Sequence, residues 1–156
     1  MNAQPEQKYA LVVLVDASQA RFLNFYSSEK RLTERACLVN EAARVPEQAL
    51  ASDRAGRAFD SVGEARHHVA QASRRKEQLR RFVKQVAHEV NMKVESHAVT
   101  RVILVAAPSV LGLLRTALGK SSRALLVAEV PKDYAKLSED EILVRLADEL
   151  TRGIPL

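Results

Sequence analysis

At 156 residues, 47% of them hydrophobic, the chain has the length and apolar content of one packed α/β domain. A formal charge of +5 allows a polyanionic partner, and a single cysteine excludes a disulfide framework and a cysteine-held zinc. The early apolar run from Ala10 to Val15 is too short to span a bilayer and is strand-like rather than a leader, so a cytoplasmic protein without a membrane span is expected.

Residues 1–8 read as a flexible N-terminus and 9–156 as a single domain. Strand-like alternation runs from Tyr9 to Asp16, from Arg21 to Ser27 and from Leu32 to Asn40, with short polar breaks that predict two consecutive hairpins. Asp16 is expected to accept backbone N–H bonds in the first turn, and Cys37 to be a small core residue. After a loop over 53–61, apolar residues Leu79, Phe82, Val83, Val86 and Val90 recur at three and four, which predicts one face of a long helix against the sheet. Arg74, Arg80, Arg81, Lys84 and His88 fall on the opposite side of that helix, with Glu77 placed to pair with Arg81. That face is either a solvated surface or a sequence-blind contact for the phosphates of RNA.

A buried strand from Arg101 to Ala106 follows, then a helix from Pro108 to Leu118 closed by Gly119, then a strand from Ala124 to Val130. Gly112, inside that helix, predicts a close approach by a strand or a ligand. Ser138 and Glu141 can form a capping box, with Leu137 and Ile142 as the staple, for a last helix whose inner face is Ile142, Leu143, Leu146 and Leu150. The order β-β-β-α-β-α-β-α builds an antiparallel triplet extended by parallel strands with crossover helices. Charge is uneven along the chain, basic around 74–84 and acidic in the tail, which suits a polyanion on one side or a contact between two copies.

The loop Asp53-Arg54-Ala55-Gly56-Arg57-Ala58-Phe59-Asp60-Ser61 mixes carboxylates, guanidiniums and an aromatic around a glycine, a composition suited to gripping an anion. The arrangement of Val15-Asp16-Ala17 before Ala20-Arg21-Phe22-Leu23, the loop motif Asp53-x-x-Gly56-Arg57-x-Phe59-Asp60-Ser61 with Arg66-His67, Ala107-Pro108 before Leu111-Gly112-x-x-Arg115, and Lys132-Asp133 resembles the bacterial host attachment proteins. These are described as required for attachment to host cells, and are similar in turn to the middle domain of archaeo-eukaryotic release factors. The resemblance therefore implies a ribonuclease H-like mixed sheet. Loop chemistry and the resemblance together make Arg54, Arg57, Phe59, Asp60, Arg66, His67 and Arg115 the expected binding residues, with His67 as an organiser of the loop and Arg115 placed either to fix the loop carrying Asp60 or to hold an external anion. The chain departs from the family pattern at Ala55, Ala58, Ala107 and Ser109, with one positive charge fewer near that site.

Four chemistries bear on these residues. A two-metal nuclease on such a sheet needs converging carboxylates, and the strand from Arg101 to Ala106 carries no acid. Release-factor hydrolysis uses a Gly-Gly-Gln loop, which the sequence lacks. His67, His68, His88 and His97 have no metal-ligand spacing, and no nucleophile elbow, phosphate loop or dinucleotide fingerprint is present, so neither metal nor cofactor is expected. A hydrolase acting on an RNA-linked or other ester, with Asp60 positioning water and Arg57 an oxyanion, rests on residue type alone. The sequence thus favours a non-catalytic binding module whose partner is the ribosome or structured RNA, with Arg74, Arg80, Arg81 and Lys84 as its electrostatic surface and an indirect role in attachment. A regulatory module that binds a protein partner is the alternative.

Overall fold

The computed structural model describes residues 6–44 and 61–152. Five strands, β1 (Tyr9–Val15), β2 (Gln19–Tyr26), β3 (Arg31–Val39), β4 (Val99–Ala106) and β5 (Leu126–Val130), form one open sheet in the order β3-β2-β1-β4-β5. β2 runs antiparallel to β1 and β3, while β1 and β4, and β4 and β5, pair in parallel. The helices are α1 (Ser61–Glu95), α2 (Pro108–Ala117), α3 (Lys120–Leu125), α4 (Glu139–Arg145) and α5 (Ala147–Thr151), and a short 3₁₀ turn, Glu41–Arg44, follows β3.

The central strand β1 is apolar along its whole length because helices cover both faces. Leu11, Val13 and Val15 point to the layer made by α1 and α2, where Phe82, Val83, Val86 and Val90 meet Val110, Leu111 and Leu114. Ala10, Val12 and Leu14 point to the other layer, with Ile142, Leu146 and Leu150. Each such buried aliphatic side chain contributes about 1.5–3 kcal/mol relative to exposure.

The antiparallel triplet and both hairpins follow the predicted spacing, and Asp16 Oδ1 closes the first turn by accepting from Ser18 N, Ser18 Oγ and Gln19 N at 2.7–2.8 Å. Ser138 and Glu141 make both halves of the capping box. Several expectations need correction. The strand expected from Ala124 starts only at Leu126, because a helix, α3, occupies Lys120–Leu125 before β5, and the single last helix expected from Ser138 breaks at Leu146 into α4 and α5. Gly119 has φ −71, so it is no left-handed stop for α2 but the N-cap of α3. Asn91 of α1 caps it from outside, with Oδ1 accepting from Gly119 N at 3.0 Å and Ser122 Oγ at 2.7 Å. A Cβ at Gly112 would meet nothing within 4 Å, so no strand approaches there. Cys37 faces outward on the edge strand β3 and is exposed, because alternation on β3 turns Leu38 rather than Cys37 to the core.

Candidate functional site

The loop residues Arg54, Arg57, Phe59 and Asp60 lie outside the described residues. The other expected site residues fall in three separate places. Arg66 and His67 stand on the first turns of α1, where Gln71 Nε2 donates to His67 Nε2 at 3.1 Å and a shallow depression is lined by Ala65, Arg66, Val69, Ala70 and Ser73. Arg115 projects from α2 and grips Glu129 of β5 with two bonds, Nε to Oε1 at 3.0 Å and Nη2 to Oε2 at 2.8 Å. That carboxylate holds the Arg115 guanidinium above its ordinary pKa, and the fork ties α2 to the sheet edge.

The third place is the outward edge of α1. Arg80, Lys84 and His88 follow one another at i+4, each exposed, roughly 6 Å apart along the axis. None of the three makes an ion pair or hydrogen bond among the described residues. Arg81 points off this line and pairs with Glu77 at 3.5 Å, and Arg74 is exposed a turn and a half earlier. The edge stays cationic because the same helix turns Phe82, Val83, Val86 and Val90 inward, which fixes its rotation.

α2 packs beside α1 and leaves a groove of about 530 Å³ between them, lined by Arg80, Val83, Lys84, His88, Asn91, Leu113, Thr116 and Ala117. Cations stand on the α1 rim, and Val83, Leu113 and Ala117 supply an apolar floor. Arg123 of α3 reaches the Thr116 carbonyl at 3.2 Å and adds positive charge at the far end. On the other side of Lys84 and His88 a second depression is lined by Leu38, Gln85 and Glu89 as well. The sequence singled out Arg80 and Lys84 but missed Asn91, Leu113 and Thr116. Their only local signal was an asparagine, a poor helix former, within a helical stretch.

Arg21, in the second of the family-like motifs, forms a hub instead of a site. Its Nε and Nη2 meet Glu34 at 2.8 and 3.2 Å, and Nη1 donates to the carbonyls of Ala135 and Leu137 at 3.0 and 2.6 Å. Those bonds pin the segment that leads into α4 across β2 and β3. Among the described residues no three His, Cys, Asp or Glu side chains come together as a metal set, and no helix is long and apolar enough to cross a membrane.

A family model described as "protein required for attachment to host cells" matches residues 11–146. The chain belongs to this family. The match runs from within β1 to the end of α4, so the α1–α2 groove, the Arg21 hub and the Arg115–Glu129 fork all lie within the matched residues. None of the curated proteins compared with the chain matches it.

Proposed function

We propose that this host attachment protein is a non-catalytic, cytoplasmic binding module for the ribosome or another structured RNA, with an indirect role in attachment. The observation that carries the reading is the row of Arg80, Lys84 and His88 along one edge of α1, solvent-exposed and without an acidic partner among the described residues. Their rise of roughly 6 Å per step suits successive phosphates of a strand, and such contacts give affinity that falls with salt. The strand order, with β2 alone reversed, supports a ribonuclease H-like topology and with it the kinship to release-factor middle domains. Arg54, Arg57 and Phe59 belong to the reading by their chemistry alone, and Arg66 and Arg74 extend the positive surface toward the start of α1.

Sedimentation of the tagged protein through a sucrose cushion tests it. The wild-type chain is expected to travel with ribosomes at low salt and to leave them as salt rises. The double variant Arg80→Glu/Lys84→Glu should stay at the top of the gradient while melting like the wild type. Both residues are exposed, so the substitutions leave the core untouched. Co-sedimentation that survives the double substitution would overturn the assignment. A nuclease-resistant complex in the soluble fraction would point to a protein partner.

A further inference from the structure

The groove beside the cationic row has a chemistry more selective than charge. Arg80 and Lys84 can only donate. Asn91 has its oxygen occupied by Gly119 N and Ser122 Oγ, at 3.0 and 2.7 Å. Because a backbone N–H can only donate, this network fixes which end of the amide is oxygen, and the NH₂ is what Asn91 has left to offer. The Thr116 hydroxyl donates to the Gly112 carbonyl at 3.1 Å. With its proton so used the hydroxyl offers a ligand only lone pairs, while Arg80, Lys84 and the Asn91 NH₂ all donate, so the groove asks for a ligand richer in acceptors than in donors.

Its floor, Val83, Leu113 and Ala117, asks for an apolar face as well, which inorganic phosphate would not use. Two flat groups, the Arg80 guanidinium and the His88 imidazole, stand on either side of Lys84, and both are surfaces on which a base can stack. The acids on this part of α1 do not close it off, since Glu77 is paired with Arg81 and Glu89 lines the depression on the other side of Lys84 and His88.

A nucleobase has this combination of flat apolar faces and an acceptor-bearing edge, joined to phosphates that the rim cations can hold. We propose that the α1–α2 groove receives one unstacked base of an unpaired RNA segment, with its flanking phosphates on Arg80 and Lys84 and its edge on Asn91 Nδ2. The inference rests on the RNA-binding reading and adds to it that an unpaired nucleotide, not duplex backbone, is what the site selects.

Fluorescence anisotropy with a labelled oligouridine, the same strand made abasic, and a fully paired duplex tests this. Two variants separate base from backbone. Thr116→Phe fills the groove from an exposed position. Asn91→Asp keeps the oxygen that caps α3 and replaces the offered donor with an acceptor, so it reads the same site if the first variant folds poorly.

The wild type is expected to bind the base-bearing strand about tenfold more tightly than the abasic strand or the duplex. In either variant that ratio should fall toward one, and in Thr116→Phe, which changes no charge, the salt dependence of abasic binding stays unchanged. A ratio that persists in a folded variant overturns the groove assignment and leaves RNA binding standing. Failure of the wild type to bind any of the three at low salt overturns both.

Discussion

A methyl group added at Gly112 would meet no atom within 4 Å, whereas one added at Gly119 would lie 3.3 Å from Asn91 Oδ1. Gly112 sits inside α2 with helical neighbours on both sides, so alanine there removes unfolded-state freedom and meets no clash. Gly112→Ala is expected to stabilise the protein by about 0.5–1 kcal/mol. Gly119→Ala must displace the side chain that caps α3 and loosens two hydrogen bonds, so a loss of about 1–2 kcal/mol is expected. Urea unfolding midpoints should therefore move in opposite directions. A Gly112→Ala midpoint below wild type would mean that some surface beyond the described contacts packs on that turn. In the sequence Gly119 reads as an ordinary helix stop and Gly112 as the place of close approach, yet the close contact falls at Gly119, because it comes from an asparagine on another helix.

Helix α1 behaves as two pieces. From Leu79 to Val94 its inner stripe is buried, but from Gly63 to Gln78 it is exposed on nearly every side, with Val69 70% accessible. At 35 residues the helix is roughly 50 Å long, whereas strands of this sheet reach only about 25–30 Å, so its first half overhangs. A helical stretch with few tertiary contacts among the described residues is marginal in water. Amide hydrogen exchange should show weak protection over 63–78 and strong protection over 79–94. Equal protection would mean that the overhang is covered in solution, and would make a second copy or a partner the next thing to look for.

The apolar spacing made the packed half legible in the sequence. It said nothing of α3, six residues without apolar periodicity whose cap is supplied by Asn91. Nor did it show the break at Leu146, where φ −105 and ψ 14 keep Ile142 and Leu150 both in the core.

Both faces of the sheet are covered, and at the sheet's end near Tyr9 a part-buried phenol contributes to the response to alkali. The Tyr9 and Tyr26 rings lie 5.9 Å apart, and burial first, then the charges of Tyr26 and Glu6, push the Tyr9 phenol above 10.0, with Arg35 opposing. The folded protein therefore holds this proton more tightly than the unfolded chain does. Stability should be unaffected by Tyr9 below its unfolded value of about 10 and should fall as pH rises through the folded one. Urea midpoints on either side of pH 10 should decline for the wild type, and less steeply for Tyr9→Phe. Parallel declines would show that other groups govern the alkaline limit.

What the sequence determined by itself was local. Alternation in the first forty residues set the hairpins, the stripe from Leu79 to Val90 set the rotation of α1, and the Ser138–Glu141 pair set the start of α4. Each of those depends on neighbours within a few positions, where periodicity and capping operate. The tertiary structure alone decided that Arg115 is held by Glu129, that Cys37 faces out, and that Asn91, Leu113 and Thr116 complete a groove with Arg80 and Lys84. The groove depends on the angle at which α2 and α3 pack on α1, the fork on how α2 lies against β5, and the outward Cys37 on the register of β3 against β2, and each of these follows from contacts between different elements rather than from neighbours along the chain.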